Sequence, residues 1–116
     1  MNIETFLSQL QQSPSAITFQ QTMDIIEQYY SYTPTEFTNG DAVNAAGSNE
    51  GSCKLFAFAK LQQLTPEQTL ACFGDYYRKD VLENPEGSDH ANIRNFMVSG
   101  WDGVTFEQAA LVLKAA

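Results

Sequence analysis

Two side chains of this sequence could together perform nucleophilic chemistry. Cys53 precedes a lysine, and His90 is the only histidine. The thiolate is the reactive form of cysteine, and a nearby cation or a helix start favours it. His90 would serve as the base, oriented by Asp89, Asn49 or Asn92, and the result would be a cysteine hydrolase. The structural alternative is a buried thiol and a half-buried packing histidine, since cysteine is among the most buried residue types.

A second set of side chains predicts a ligand site where a long loop meets a predicted helix at 89–99. Its members are polar, charged or aromatic: Asn49, Glu50, Asp89, His90, Arg94 and Trp101. Arg94 is one of only six basic residues, so we expect it to pair with Glu50 or Asp89 and to hold the loop against the helix. The functional interpretation is a pocket for a small anionic ligand covered by Trp101; the structural alternative for Trp101 is a core anchor.

Metal and cofactor chemistry receives no support from the residue types present. A zinc site needs three or four His, Cys or carboxylate ligands at characteristic spacings, and this sequence has one histidine and two separate cysteines. We therefore expect no metal and no cofactor. Two cysteines are also too few for a disulfide scaffold, so Cys53 and Cys72 are expected to be free thiols in a reducing compartment.

The charge balance excludes several classes of partner. Six Lys and Arg residues against fourteen Asp and Glu residues give a net charge of −8, which would repel both nucleic acid and an anionic membrane surface. The sequence has no run of 18 apolar residues and no basic, apolar leader of the Sec type. We expect a soluble cytoplasmic protein that binds a protein or a small molecule. The oligomeric state stays open.

The elements that must position these side chains are predicted to be helices. Apolar residues recur at helical spacing in residues 2–12, and three segments have the Thr-x-x-Gln pattern of a capping box, beginning at Thr18, Thr65 and Thr105. The segment 53–64 is apolar on all sides, which is typical of a buried helix.

Residues 33–51 interrupt this pattern with Pro, Asn and Gly, and they predict one long irregular loop. Within it, Thr35–Thr38 could be a short extended piece followed by an Asn39-Gly40 turn. The sequence therefore predicts a single all-α domain over 1–116, with about six helices packed around the helix at 53–64.

Four blocks of the sequence resemble the HopJ type III effector family. They are FTNGDAVNAAGSNEGSCK (37–54), YYRKDVL (76–82), SDHANIRNF (88–96) and GWDGVTF (100–106), within a resemblance that runs from about residue 30 to 113. The resemblance implies a bacterial protein related to effectors that plant pathogens inject through a type III apparatus. It implies no biochemical activity and therefore no catalytic residue.

Three functional interpretations follow. The first is an effector-like protein of unassigned activity that binds a partner or small ligand, and the second is the Cys53/His90 hydrolase. The third is a cytosolic housekeeping protein that is never secreted. The first thirty residues are rich in Ser, Thr, Asn and Gln and lack a basic residue, which is compatible with type III export. The same segment also predicts two packed amphipathic helices.

Overall fold

The structure, a computed structural model, describes residues 2–114 and is mixed α/β, 55% helical with two small antiparallel sheets. The all-α prediction is therefore wrong. The helices are α1 (Ile3–Gln12), α2 (Phe19–Tyr29), α3 (Glu50–Leu61), α4 (Pro66–Ala71) and α5 (Ala91–Ser99), with a π-helical turn at Tyr76–Val81 and 3-10 turns at Pro14–Ala16 and Gly100–Gly103. The strands are β1 (Tyr30–Tyr32), β2 (Phe37–Asn39), β3 (Ala42–Asn44), β4 (Val104–Phe106) and β5 (Leu111–Leu113).

Two of the predicted capping boxes start helices as expected. The hydroxyl of Thr18 accepts a hydrogen bond from the backbone N–H of Gln21 at 3.1 Å, and Thr65 does the same for Gln68 at 3.1 Å. Each glutamine side chain in turn accepts from the threonine's backbone N–H. These reciprocal bonds satisfy donors that a helix start leaves open, so local sequence alone determines where α2 and α4 begin.

The third Thr-x-x-Gln segment does not form a helix. Residues 104–106 are strand β4, which pairs with β2 and places Phe37 opposite Phe106. Residues 111–113 are strand β5, which pairs with β1 and places Tyr30 opposite Leu113. The predicted helix fails because pairing with distant strands overrides a weak local preference, a common outcome for short segments.

The two sheets are parts of one interrupted antiparallel ribbon, in which residues 30–39 run against 104–113. The register on both sides of the interruption is the same, because the pairs Tyr32–Leu111 and Phe37–Phe106 are what an unbroken ladder would give. Within the gap, the N–H of Thr33 donates to Ala110 O at 2.8 Å. Pro34 follows and has no N–H, which is consistent with the break in the ladder at this point.

The central helix was correctly predicted to be buried, although it spans Glu50–Leu61 instead of 53–64. Leu55, Phe56, Phe58 and Ala59 are fully buried. They belong to one core that also includes Phe6 of α1 and residues of every other helix and of both sheets.

The region predicted as an irregular loop contains the β2–β3 hairpin. Its turn lies at the predicted Asn39-Gly40 position, where Gly40 has a φ of +60° that favours glycine. The hairpin packs against α5. The predicted return of the loop onto the start of the 89–99 helix is therefore confirmed, and this packing positions the site described next.

Candidate functional site

A half-open cavity of about 700 Å³ lies between the hairpin, the starts of α2, α3 and α5, and the π-helical turn. Its volume is within the range of small-molecule sites. Six of its lining residues are neither aromatic nor asparagine: Ala42, Val43, Gly51, Ser52, Ala91 and Ile93. Aromatic side chains form one wall, and asparagine side chains form another.

The aromatic wall consists of Phe73, Phe19, Tyr76 and His90 in a continuous series. Phe73 stacks on Phe19 with ring centroids 6.3 Å apart, and Phe19 and Tyr76 form a T-shaped pair with centroids 5.2 Å apart. The rings of Tyr76 and His90 lie 5.4 Å apart. Gly51 permits this packing, since a Cβ there would lie 2.9 Å from Phe19 Cζ.

The amide wall consists of Asn44, Asn49 and Asn92. Asn49 Nδ2 donates to Asn44 Oδ1 at 2.7 Å, and Asn92 Nδ2 donates to the same oxygen at 3.0 Å. Asn44 Nδ2 donates back to Asn92 Oδ1 at 3.2 Å. Asn44 and Asn92 are buried, whereas Asn49 is exposed at the open end of the network. The network fixes the amide orientations.

Helices α3 and α5 begin at this cavity in the same unusual way. Their N-cap residues, Asn49 and His90, both have a φ of +52°, the left-handed conformation that non-glycine residues seldom adopt. Neither N-cap side chain bonds to its own helix start. Such backbone conformations are often found at binding sites, where surrounding packing holds them.

His90 is oriented by a carboxylate that sequence reasoning missed. Its Nε2 lies 3.1 Å from Asp80 on the π-helical turn and 3.9 Å from Asp89. The side chain is 29% exposed, which agrees with a half-buried histidine, but it precedes the helix instead of forming part of its apolar stripe.

Arg94 and Asp89 form the predicted ion pair, with Nη2 and Oδ1 2.7 Å apart. Arg94 also donates to the carbonyl oxygens of Asp89 at 2.6 Å and Asn84 at 2.9 Å. The Arg94 guanidinium holds the pKa of Asp89 below its usual value. Arg94 does not line the cavity. Arg94 borders a separate, smaller cavity of about 230 Å³ instead, so an anion site beside Arg94 stays a prediction.

Glu50 and Trp101 also lie outside the cavity lining. Glu50 is the exposed first residue of α3. Of the two partners predicted for Arg94, Asp89 forms the ion pair and Glu50 does not. Trp101 forms T-shaped pairs with Phe56 and Phe96, and its Nε1 donates to Leu64 O at 2.9 Å. It anchors the core, which was the structural alternative for this residue.

Cys53 is buried, and its thiol bonds to Thr35 O at 3.8 Å. Burial raises the pKa of this thiol. The expected thiolate is not favoured here. Cys53 is hydrogen-bonded to Thr35 and His90 to Asp80, so the two side chains are not hydrogen-bonded to each other, and only His90 lines the cavity. Within residues 2–114, no group of three or more His, Cys, Asp or Glu side chains could hold a metal ion.

Comparison with known proteins identifies the family. A sequence model described as HopJ type III effector protein matches residues 3–111. The chain belongs to the HopJ family. The chain is also similar to a solved crystal structure described as that of "unknown function protein VPA0580". The two sequences are 54% identical, and the match covers 98% of this chain and 95% of the other chain with a TM-score of 0.97. A comparison of the sequence with curated proteins found no match. Every helix in residues 2–114 is too short or too polar to span a membrane.

In this HopJ chain, six residues were predicted to form the ligand site, and two of them, Asn49 and His90, line the cavity. Sequence reasoning missed Asn44 and Tyr76, and it considered Asn92 only as a partner for the histidine. A usable signal existed: asparagines at positions 39, 44, 49, 92 and 95 fall within the two blocks that flank the cavity. Buried asparagines need partners, which predicts a shared network.

Proposed function

We propose that this HopJ-family protein is an effector-type binding protein that holds a small molecule in the cavity between the hairpin and the starts of α3 and α5. One observation carries the proposal: the aromatic wall and the pre-oriented amides of the amide wall line the same cavity of about 700 Å³. An apolar surface with a few fixed polar groups is the usual composition of a ligand site.

The fixed orientation of the polar groups also supports binding. Asn44 and Asn92 bond to each other in both directions, so neither amide must be reordered when a ligand arrives. His90 is held by Asp80 in the same manner. The entropy cost of ordering these side chains is therefore met during folding.

A cavity-filling substitution tests the proposal. Ala91 is exposed, lines the cavity and is the first residue of α5. Val98, on the same helix, is 87% exposed and lies outside this cavity. A library of small metabolites would be screened by amide NMR shifts against wild type, Ala91→Trp and Val98→Trp.

We expect hits that shift residues 42–52 and 90–93, that are lost in Ala91→Trp, and that persist in Val98→Trp. Hits that bind Ala91→Trp as they bind wild type would place the ligand elsewhere and defeat the proposal. A complete absence of hits across the library would also count against it.

The effector role, which rests on the family, needs a separate experiment. The chain would be fused to a translocation reporter in a bacterium with a type III apparatus and in its apparatus-deficient mutant. Apparatus-dependent delivery supports the effector role. Retention in both strains would favour the housekeeping alternative and would leave the ligand proposal intact.

A further inference from the structure

The cavity lining has no strongly charged side chain. None of its thirteen residues, all in the described part of the chain, is Asp, Glu, Lys or Arg. A charged ligand loses its hydration on entering such a site and needs an opposite charge to compensate. The lining offers aromatic rings, amides, the hydroxyls of Ser52 and Tyr76 and the imidazole of His90 instead.

The two carboxylates next to His90 already have partners. Asp89 pairs with Arg94 at 2.7 Å, and Asp80 contacts His90 at 3.1 Å. An anion would meet these two carboxylates close to His90 and no guanidinium in the lining. A cation would have to compete with Arg94 and His90 for the same carboxylates. Both comparisons favour an uncharged ligand.

The remaining polar atoms suit a ligand that both donates and accepts hydrogen bonds. Among residues 2–114, Asn49 Nδ2 is used by Asn44, while Asn49 Oδ1 and the Ser52 hydroxyl have no hydrogen-bond partner. Tyr76, which lines the same cavity, is 44% exposed. Hydroxyl groups of a ligand would form hydrogen bonds with these polar atoms, and an apolar ring face of the ligand would pack on the aromatic wall.

We propose, building on the proposed function, that the ligand is a neutral sugar of one or two rings. A sugar ring has an apolar C–H face and a rim of hydroxyls that donate and accept, which corresponds to the aromatic wall and the amide wall. The cavity of about 700 Å³ has room for either size. Tyr76 is the aromatic side chain that the sugar covers, because it is the most exposed of the wall.

A ring-matched series of probes tests the charge selection. Glucose, glucosamine and glucose 6-phosphate share one ring and differ in charge, and galactose, mannose, N-acetylglucosamine, maltose and sucrose extend the neutral set. Amide NMR titrations would give affinities for each. We expect at least one neutral sugar to shift residues 42–52 and 90–93, with its charged derivative about tenfold weaker or worse.

Two variants locate the sugar. Tyr76→Ala removes the exposed ring, and we expect it to weaken sugar binding about tenfold or more while the protein stays folded. Leu82→Ala is the control, since Leu82 is similarly exposed at 47% and does not line this cavity. It should leave affinity unchanged.

The outcomes separate the two proposals. Tighter binding of glucose 6-phosphate or glucosamine than of any neutral sugar would overturn the sugar inference. Library hits in the cavity with no sugar response, including hits that are planar heteroaromatic rings, would overturn it too and leave the proposed function standing. Equal binding by Tyr76→Ala and wild type would also refute it.

Discussion

Asn39 and Asn92 lie 53 positions apart in sequence and are joined by two hydrogen bonds from one amide. Asn39 Nδ2 donates to Asn92 O at 2.7 Å and to Asn92 Oδ1 at 3.1 Å. Both side chains are buried. The pair fixes β2 to the first turn of α5, and Asn92 then continues into the amide wall of the cavity. One contact therefore links the integrity of the fold to the shape of the site.

The first prediction concerns this link. Asn92→Ala should lower the free energy of unfolding by about 3 kcal/mol, because it leaves the buried amide donors of Asn39 and Asn44 without their side-chain acceptor. Urea unfolding would measure the change. Asn84→Ala is the control: Asn84 is exposed and donates only to Asp80 O, so we expect a change of about 0.5 kcal/mol or less. Equal effects of the two substitutions would contradict the role of the network.

The second prediction concerns the glycine where α4 ends. Gly74 has a φ of +63°, and a Cβ there would lie 2.7 Å from the backbone N of Phe19. Gly47 also has a positive φ, +87°, but no atom lies within 4 Å of its Cβ position. Gly47→Ala should cost about 1 kcal/mol from backbone strain alone, and Gly74→Ala about 3 kcal/mol or more because backbone must also shift. Thermal and urea unfolding would compare them; similar losses would mean that the α2–α4 packing tolerates a methyl group.

The third prediction concerns pH. Arg94 lowers the pKa of Asp89 in the folded protein, so the unfolded chain binds the proton more tightly. The stability from this pair is fully present above the unfolded carboxyl pKa of about 3.9, and it is lost as the pH falls from there through the lower pKa of the folded protein. Asp89→Asn should be less stable than wild type at pH 7, and the difference should shrink below about pH 4. In an Arg94→Gln background the pH dependence of this difference should become much smaller, because Arg94 is the main cause of the lowered pKa; if it is unchanged, another group causes it.

The fourth prediction concerns the thiols. Burial raises the pKa of Cys53 above its usual value and that of Cys72 to about 12. Neither thiol should react appreciably with iodoacetamide in the native protein near neutral pH, because the thiolate is the reactive form. Mass spectrometry would count the labels, and denaturing guanidinium chloride would expose both cysteines as the control. Rapid native labelling of Cys53 alone would revive the cysteine-hydrolase interpretation.

The sequence by itself determined the features that depend on neighbours along the chain. The Thr18 and Thr65 capping boxes act within one helical turn, and the Asp89–Arg94 pair spans five positions. The apolar composition around Phe56 requires burial whatever surrounds it, which made the central helix predictable. The HopJ resemblance was likewise contained in short uninterrupted blocks.

Tertiary structure alone decided the strands and the cavity. Three-residue strands are too short to show a periodicity of two, so Phe37–Asn39 and Val104–Phe106 are stable only through a register between segments more than sixty residues apart. The site has the same origin, because Asn44 and Asn92 are ordinary polar residues until folding buries them together. A sequence gives the residue types of such a site, but the desolvation that makes them seek one another exists only in the packed chain.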